Sequence, residues 1–101
     1  MPKKILLVDD EQAIVDLLGA MLAQNGYEVV TALSGKSCLK KASENKPDLI
    51  ILDVLMPDVD GFEVCKLLKE DETTKNIPVI MLTSRLVGYI CAVSIPLATV
   101  R

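Results

Sequence analysis

The feature that most constrains this chain is an unbroken aliphatic run, Leu49-Ile50-Ile51-Leu52, that stops at an acid, Asp53. A strand with one wet face alternates apolar and polar residues. One that is apolar at every position fits the centre of a sheet covered on both sides. The rest of the chain must therefore supply neighbouring strands and two covering layers.

Periodicity supplies both. Lys4 to Val8 is a short apolar run of strand length, ended by Asp9-Asp10. From Glu11 onward Ile14, Leu17, Leu18, Met21 and Leu22 recur at helical spacing, and Asn25-Gly26 is a stop signal. Glu28 to Ala32 reads as a second strand. Ser34-Gly35 opens a helix carrying Cys38, Leu39 and Ala42 that ends near Asn45-Lys46-Pro47. After the central run, Val54 to Asp60 is a loop holding Pro57, and Gly61 to Glu70 is a third helix with Phe62, Val64, Cys65, Leu67 and Leu68. Ile77 to Leu82 is a fourth strand, closed by Thr83-Ser84. The order βαβαβαβ predicts a doubly wound parallel sheet with helices on both faces. Ligands of such sheets sit beyond the carboxyl ends of the strands.

Composition narrows the chemistry. At 101 residues the chain holds one domain, and an apolar half is enough for an ordinary core. The absence of histidine excludes Ser-His-Asp and Cys-His catalysis and most zinc sites. Net charge −3 speaks against a nucleic-acid surface. Cys38, Cys65 and Cys91 are odd in number and widely spaced, which suits reduced core thiols in a cytoplasmic protein. The apolar run after Lys3-Lys4 is too short for a signal peptide. No glycine-rich phosphate loop follows the first strand, so a nucleotide or flavin site is a poor fit.

The strand ends then matter. Asp9-Asp10 follows the first strand, Asp53 ends the third and Thr83 follows the fourth, so neighbouring strands would gather three carboxylates in one shallow site. Two carboxylates about 4 Å apart repel by about 4 kcal/mol at an effective dielectric of about 20. A hard, oxygen-binding cation such as Mg²⁺ gives a reason to assemble them. An ionised aspartate can also attack a phosphoryl group to form an acyl phosphate, with a metal and a hydroxyl to orient the oxygens.

Val8-Asp9-Asp10-Glu11, Ile50-Ile51-Leu52-Asp53, Met56-Pro57-Asp58-Val59-Asp60-Gly61 and Met81-Leu82-Thr83-Ser84 together resemble the receiver domain of two-component response regulators, over roughly residues 3 to 85. The resemblance implies a flavodoxin-like fold, here incomplete at the C-terminus, with residues 1–85 as receiver-like core and 86–101 as an atypical apolar tail. It implies a cytoplasmic phosphorelay module, a phosphoacceptor that assists its own phosphorylation and dephosphorylation rather than an enzyme. Asp53 matches the phosphoacceptor. Asp9 and Asp10 match the acidic pair that holds Mg²⁺ with Asp53 and the backbone carbonyl of Leu55. Thr83 matches the hydroxyl that turns toward the phosphoryl group, and Pro57 and Gly61 shape the adjacent loop. The implied partner is a sensor histidine kinase or histidine phosphotransfer protein, with no nucleic acid and no membrane.

Plainer roles exist for the same residues. Asp9 and Asp10 alone read as caps of the first helix, Asp53 as a turn acceptor and Thr83 as a β-former. It is their convergence that favours the metal reading. Asp58 and Asp60 read as turn residues, and Lys36, Lys40, Lys41 and Lys46 as a solvated helix face.

The tail departs from the family. All fourteen carboxylates fall between Asp9 and Glu72, and Leu86 to Val100 carries no charge. Receivers place a lysine at the end of a fifth strand, and here no lysine follows Lys75. Three readings compete: an aberrant end such as a shifted frame, a degenerate fifth strand over Tyr89 to Ile95 beside the fourth, or an apolar anchor too short to span a membrane. Without a fifth strand, the fourth becomes an exposed apolar edge, and that edge or the tail would draw the chain into homo-oligomers. The missing lysine also raises a rival reading, a receiver-derived interaction or assembly module that no longer signals.

Overall fold

A computed structural model of the chain describes residues 2–53, 60–82 and 90–91. Its elements are β1 (Lys4–Val8), α1 (Gln12–Gln24), β2 (Glu28–Ala32), α2 (Gly35–Asn45), β3 (Leu49–Asp53), α3 (Gly61–Glu70), β4 (Val79–Leu82) and β5 (Ile90–Cys91). The sheet order is β2-β1-β3-β4-β5. The first four strands are parallel and β5 is antiparallel to β4. The four parallel strands make the doubly wound sheet that the alternation of periods predicts, in the flavodoxin-like order that the resemblance implies.

Parallel register sorts the side chains. Leu6 stands opposite Ile50, Val8 opposite Leu52, and these two β3 residues opposite Val79 and Met81. All six are buried on one face, in a cluster with Cys38 and Ala42 of α2 and Val64, Cys65 and Leu68 of α3. The intervening Ile5 and Leu7 turn to the other face and are also buried. There α1 lies over β1 and β2, and Val29, the register partner of Ile5, comes within 3.8 Å of where a Cβ on Gly19 would stand. The central strands β1 and β3 thus carry aliphatic side chains on both faces.

The helix ends follow their local chemistry. Gly26 takes φ +92°, where a side chain would be strained, and ends α1. Ser34 caps α2, its hydroxyl accepting from the Ser37 N–H at 3.1 Å. Lys46 closes that helix in the left-handed region, its N–H bonded to the Ala42 carbonyl, and Pro47 cannot extend the turn. Asp60 caps α3, its carboxylate accepting from the Phe62 N–H at 2.9 Å.

Two expectations change. The fourth strand begins at Val79 rather than Ile77: the Ile77 N–H is already bonded to the Thr74 carbonyl at 3.0 Å, and Pro78 has no N–H to offer a ladder. Lys41 is not merely solvated, since its ammonium donates to the Thr31 carbonyl at 2.6 Å and ties α2 to β2. Within Tyr89 to Ile95, the described residues Ile90 and Cys91 do pair beside β4, but antiparallel, with Met81 opposite Cys91 and Leu82 opposite Ile90.

The turn between α3 and β4 is fixed by polar groups. The Asp71 carboxylate accepts from the Thr73 N–H and hydroxyl, which hold it below the usual carboxylate range. Lys69 reaches back to the carbonyls of Lys75 and Ile77. Thr74 is buried, and its hydroxyl donates to the Leu68 carbonyl at 2.7 Å. Replacing it by valine keeps the shape and removes that bond. Thr74→Val is expected to cost about 1–2 kcal/mol, read as a lower urea midpoint at unchanged slope; an unchanged midpoint would deny the bond any net value.

Candidate functional site

The pairing of β1 with β3 builds the site. Val8 stands opposite Leu52, so the next residue of each strand, Asp9 and Asp53, leaves the sheet at the same edge. Asp10 follows at once. One carboxylate oxygen from each of Asp9, Asp10 and Asp53 lies within 4.8 Å of the others. The three differ in environment: Asp53 is buried, Asp9 half-buried and Asp10 exposed.

Asp9 serves the fold as well as the cluster. Its own N–H donates to the Ala32 carbonyl at the end of β2, and its Oδ1 accepts from the Glu11 N–H at 2.9 Å, just before α1 begins. Asp9 is not the helix cap that its position suggests: α1 is capped at Glu11 with no side-chain bond, and the Asp9 carboxylate instead closes an Asx turn ahead of the helix. Burial raises the Asp9 pKa above its ordinary value; the Glu11 N–H pulls it down, and the charges of Asp10 and Glu11 add to the rise.

Such a cluster works against folding in the absence of a counter-charge, since each pair at this separation repels by about 3–4 kcal/mol at an effective dielectric of about 20. The donor set is entirely carboxylate oxygen, the ligand type of hard cations such as Mg²⁺, Mn²⁺ and Ca²⁺. One oxygen from each of the three carboxylates is close enough to the others that together they could hold a single ion. These residues fit a divalent ion.

The other expected site residues divide in two. Leu55, Pro57, Asp58 and Thr83 lie outside the described residues. Gly61 begins α3, directly after the capping Asp60; that cap was readable from an acid standing just before an apolar helical run. The buried thiols of Cys38 and Cys65 take no part. Burial pushes the Cys38 thiol up to about 12, which leaves it neither nucleophile nor ligand at neutral pH. No described helix is long and apolar enough to cross a membrane.

A carboxylate with a raised folded pKa stabilises the fold fully only below its unfolded value, and that contribution is lost as pH rises through the folded pKa. Asp9→Asn keeps an oxygen to accept from Glu11 and removes the charge. In chelator, the variant is expected to melt at a higher temperature than the parent at neutral pH, and the gap is expected to close below the carboxylate range. A variant that melts lower at neutral pH would refute the cost assigned to this charge.

Comparison with known proteins gives the fold and the acidic edge a family. The model of the response regulator receiver domain matches residues 5–88. The alkaline phosphatase synthesis transcriptional regulatory protein PhoP of Bacillus subtilis is 52% identical over 85 residues, which are 84% of this chain and 35% of that protein. Response regulator PleD of Caulobacter vibrioides is 50% identical over 84 residues, 83% of this chain and 18% of that protein. The chain thus spans a minor part of these relatives. Among solved structures, the N-terminal domain of a response regulator receiver protein from Methanoculleus marisnigri JR1 superposes with TM-score 0.78 at 44% identity, covering 80% of this chain and 66% of that one. Response regulator TrrA from Thermotoga maritima, solved in complex with Mg²⁺-BeF, gives TM-score 0.76 at 41% identity over 81% of this chain and 70% of that one. With β-strand order, acidic edge and family model in agreement, the chain belongs to the response regulator receiver domain family.

Proposed function

We propose that this chain is a phosphoacceptor module of a two-component phosphorelay, in which Asp53 takes a phosphoryl group from a sensor histidine kinase or histidine phosphotransfer protein. The observation that carries this reading is the meeting of the Asp9, Asp10 and Asp53 carboxylates at the carboxyl edge of β1 and β3. In the proposed reaction an Asp53 carboxylate oxygen forms a bond to phosphorus as the phosphorus–nitrogen bond of a phosphohistidine breaks, leaving an acyl phosphate on this chain and a free imidazole on the donor.

Asp9, Asp10, Asp53 and the Leu55 carbonyl would hold the metal. A bound Mg²⁺ neutralises charge on the phosphoryl oxygens. Burial of Asp53 keeps water from its carboxylate, while exposed Asp10 leaves the approach open to a donor protein. Thr83, one residue beyond Leu82 in the β4 strand that pairs with Asp53, would orient the transferred group through its hydroxyl. Relatives of this chain are named as transcriptional regulators and response regulators, which supports signalling as the setting.

A second reading keeps the scaffold and drops the chemistry: an interaction or assembly module. It is favoured by one observation, the composition of Leu86 to Val100, which holds no cation to meet a phosphoryl group. The phosphoryl group carries about −1.5 to −2 charges at neutral pH, and the resemblance implies a lysine to meet them. Partner binding that survives Asp53→Asn unchanged would favour this module.

Two measurements test the first reading. Incubation with a small acyl phosphate and Mg²⁺ is expected to add about 80 Da, the mass of one HPO₃ unit, to the parent and nothing to Asp53→Asn. No gain at any magnesium concentration would overturn phosphoacceptor competence. Calorimetric titration with Mg²⁺ is expected to show binding that Asp10→Asn weakens by about tenfold or more; folded protein that takes up no divalent ion would overturn the metal assignment.

A further inference from the structure

The turn that ends α1 holds two groups that can react with one another. Asn25 is followed by Gly26, and both are exposed. A bond from the backbone nitrogen of the next residue to an asparagine side-chain carbon closes a five-membered ring, and glycine has no Cβ to hinder it. The fold requires this glycine. It stands at φ +92°, the left-handed position after the last helical turn, where an L side chain is strained. The other asparagines of the chain are Asn45, before Lys46, and Asn76, before Ile77, and in both the following residue is bulky.

The same turn holds the reacting atoms back. The Gly26 N–H donates to the Ala23 carbonyl at 3.0 Å and the Tyr27 N–H to the Leu22 carbonyl at 3.2 Å, the paired bonds of a Schellman cap. The Asn25 side-chain amide donates to the Met21 carbonyl at 2.8 Å. With ψ 12° at Asn25, the Gly26 nitrogen is swung away from the Asn25 side chain. Ring closure therefore needs the cap to open, and helix ends are where local opening costs least.

We propose that Asn25 is a self-modification site, converted to aspartate and isoaspartate at a rate set by the opening of this cap. The Gly26 N–H gives its proton to hydroxide, its nitrogen bonds to Asn25 Cγ, and the Cγ–Nδ2 bond breaks. Ammonia leaves with a proton from water, and a cyclic imide joins the two residues. Water then adds to one imide carbonyl and breaks its bond to nitrogen. Attack at the side-chain carbonyl gives aspartate; attack at the backbone carbonyl gives isoaspartate, with the chain running through the former side chain. The sum is one water consumed and one ammonia released. Either product places a negative charge at the end of a helix whose last turn holds no cation, where the macrodipole opposes it. The Met21 carbonyl also loses its amide donor. Conversion thus loosens the cap that delays it.

Incubation of the whole folded chain in mildly alkaline buffer, followed by digestion and peptide mapping by mass spectrometry, tests this. A gain of about 1 Da, amide to acid, is expected at Asn25 as two products that separate on chromatography, with ammonia released in step. Asn45 and Asn76 are expected to keep their mass. In urea, where no cap protects the turn, conversion at Asn25 is expected to run about tenfold faster or more. Asn25→Gln keeps an amide but closes only a larger ring, and is expected to show no gain at that position. Circular dichroism confirms that the native samples are folded. A folded chain whose Asn25 keeps its mass while the urea sample converts, equal rates in buffer and urea, equal gains at Asn45 or Asn76, or aspartate without isoaspartate would each overturn the proposal.

Discussion

The structure depends on the register between two strands that are far apart in the chain. Val8 lies beside Leu52, and everything at the acidic edge follows from that alignment. A shift of either strand by one residue would turn its inward pair, Leu6 and Val8 or Ile50 and Leu52, out of the cluster they share with α2 and α3. It would also part Asp53 from Asp9. Burial of aliphatic side chains thus determines where the acids end, and their mutual repulsion is borne by a core that has no cheaper arrangement. The site is a by-product of hydrophobic alignment made useful by what stands one residue beyond it.

Most of the architecture was readable because two periods alternate cleanly. The continuous run before Asp53 announced a central strand, and the breaks at Asn25-Gly26 and Lys46-Pro47 fell where the helices end. The errors came where a local polar bond overrides periodicity. Ile77 looks like strand, yet its N–H belongs to a turn closed by Thr74. Lys41 looks like a solvent-facing charge, yet its length lets it reach a carbonyl on the next strand over. Asp60 was read as a turn residue when it is also a helix cap. At the site, the convergence of three aspartates could be inferred from strand order, whereas the unequal burial of Asp9, Asp10 and Asp53 could not. That inequality depends on how α1 leaves β1, which no periodicity records.

The two faces of the sheet are built differently. Beneath α2 and α3 the side chains of four strands interlock with those of both helices, and most are wholly buried. Beneath α1 the cover among the described residues reaches β1 and β2, while Leu49 and Ile51 of β3 and Ile80 and Leu82 of β4 are half-buried. The acidic edge joins these two halves, since Asp9 ties the end of β2 to the start of α1 through its N–H and its carboxylate. A change of charge there bears first on the entry to α1.

The sealed thiol of Cys38 gives the tighter side a natural stopwatch. With no exposed surface and its ionisation pushed to about 12, it is closed to alkylating reagents for as long as the packing above it holds. Its rate of labelling therefore counts the openings of the interior one by one, and the chain needs no added probe to report them.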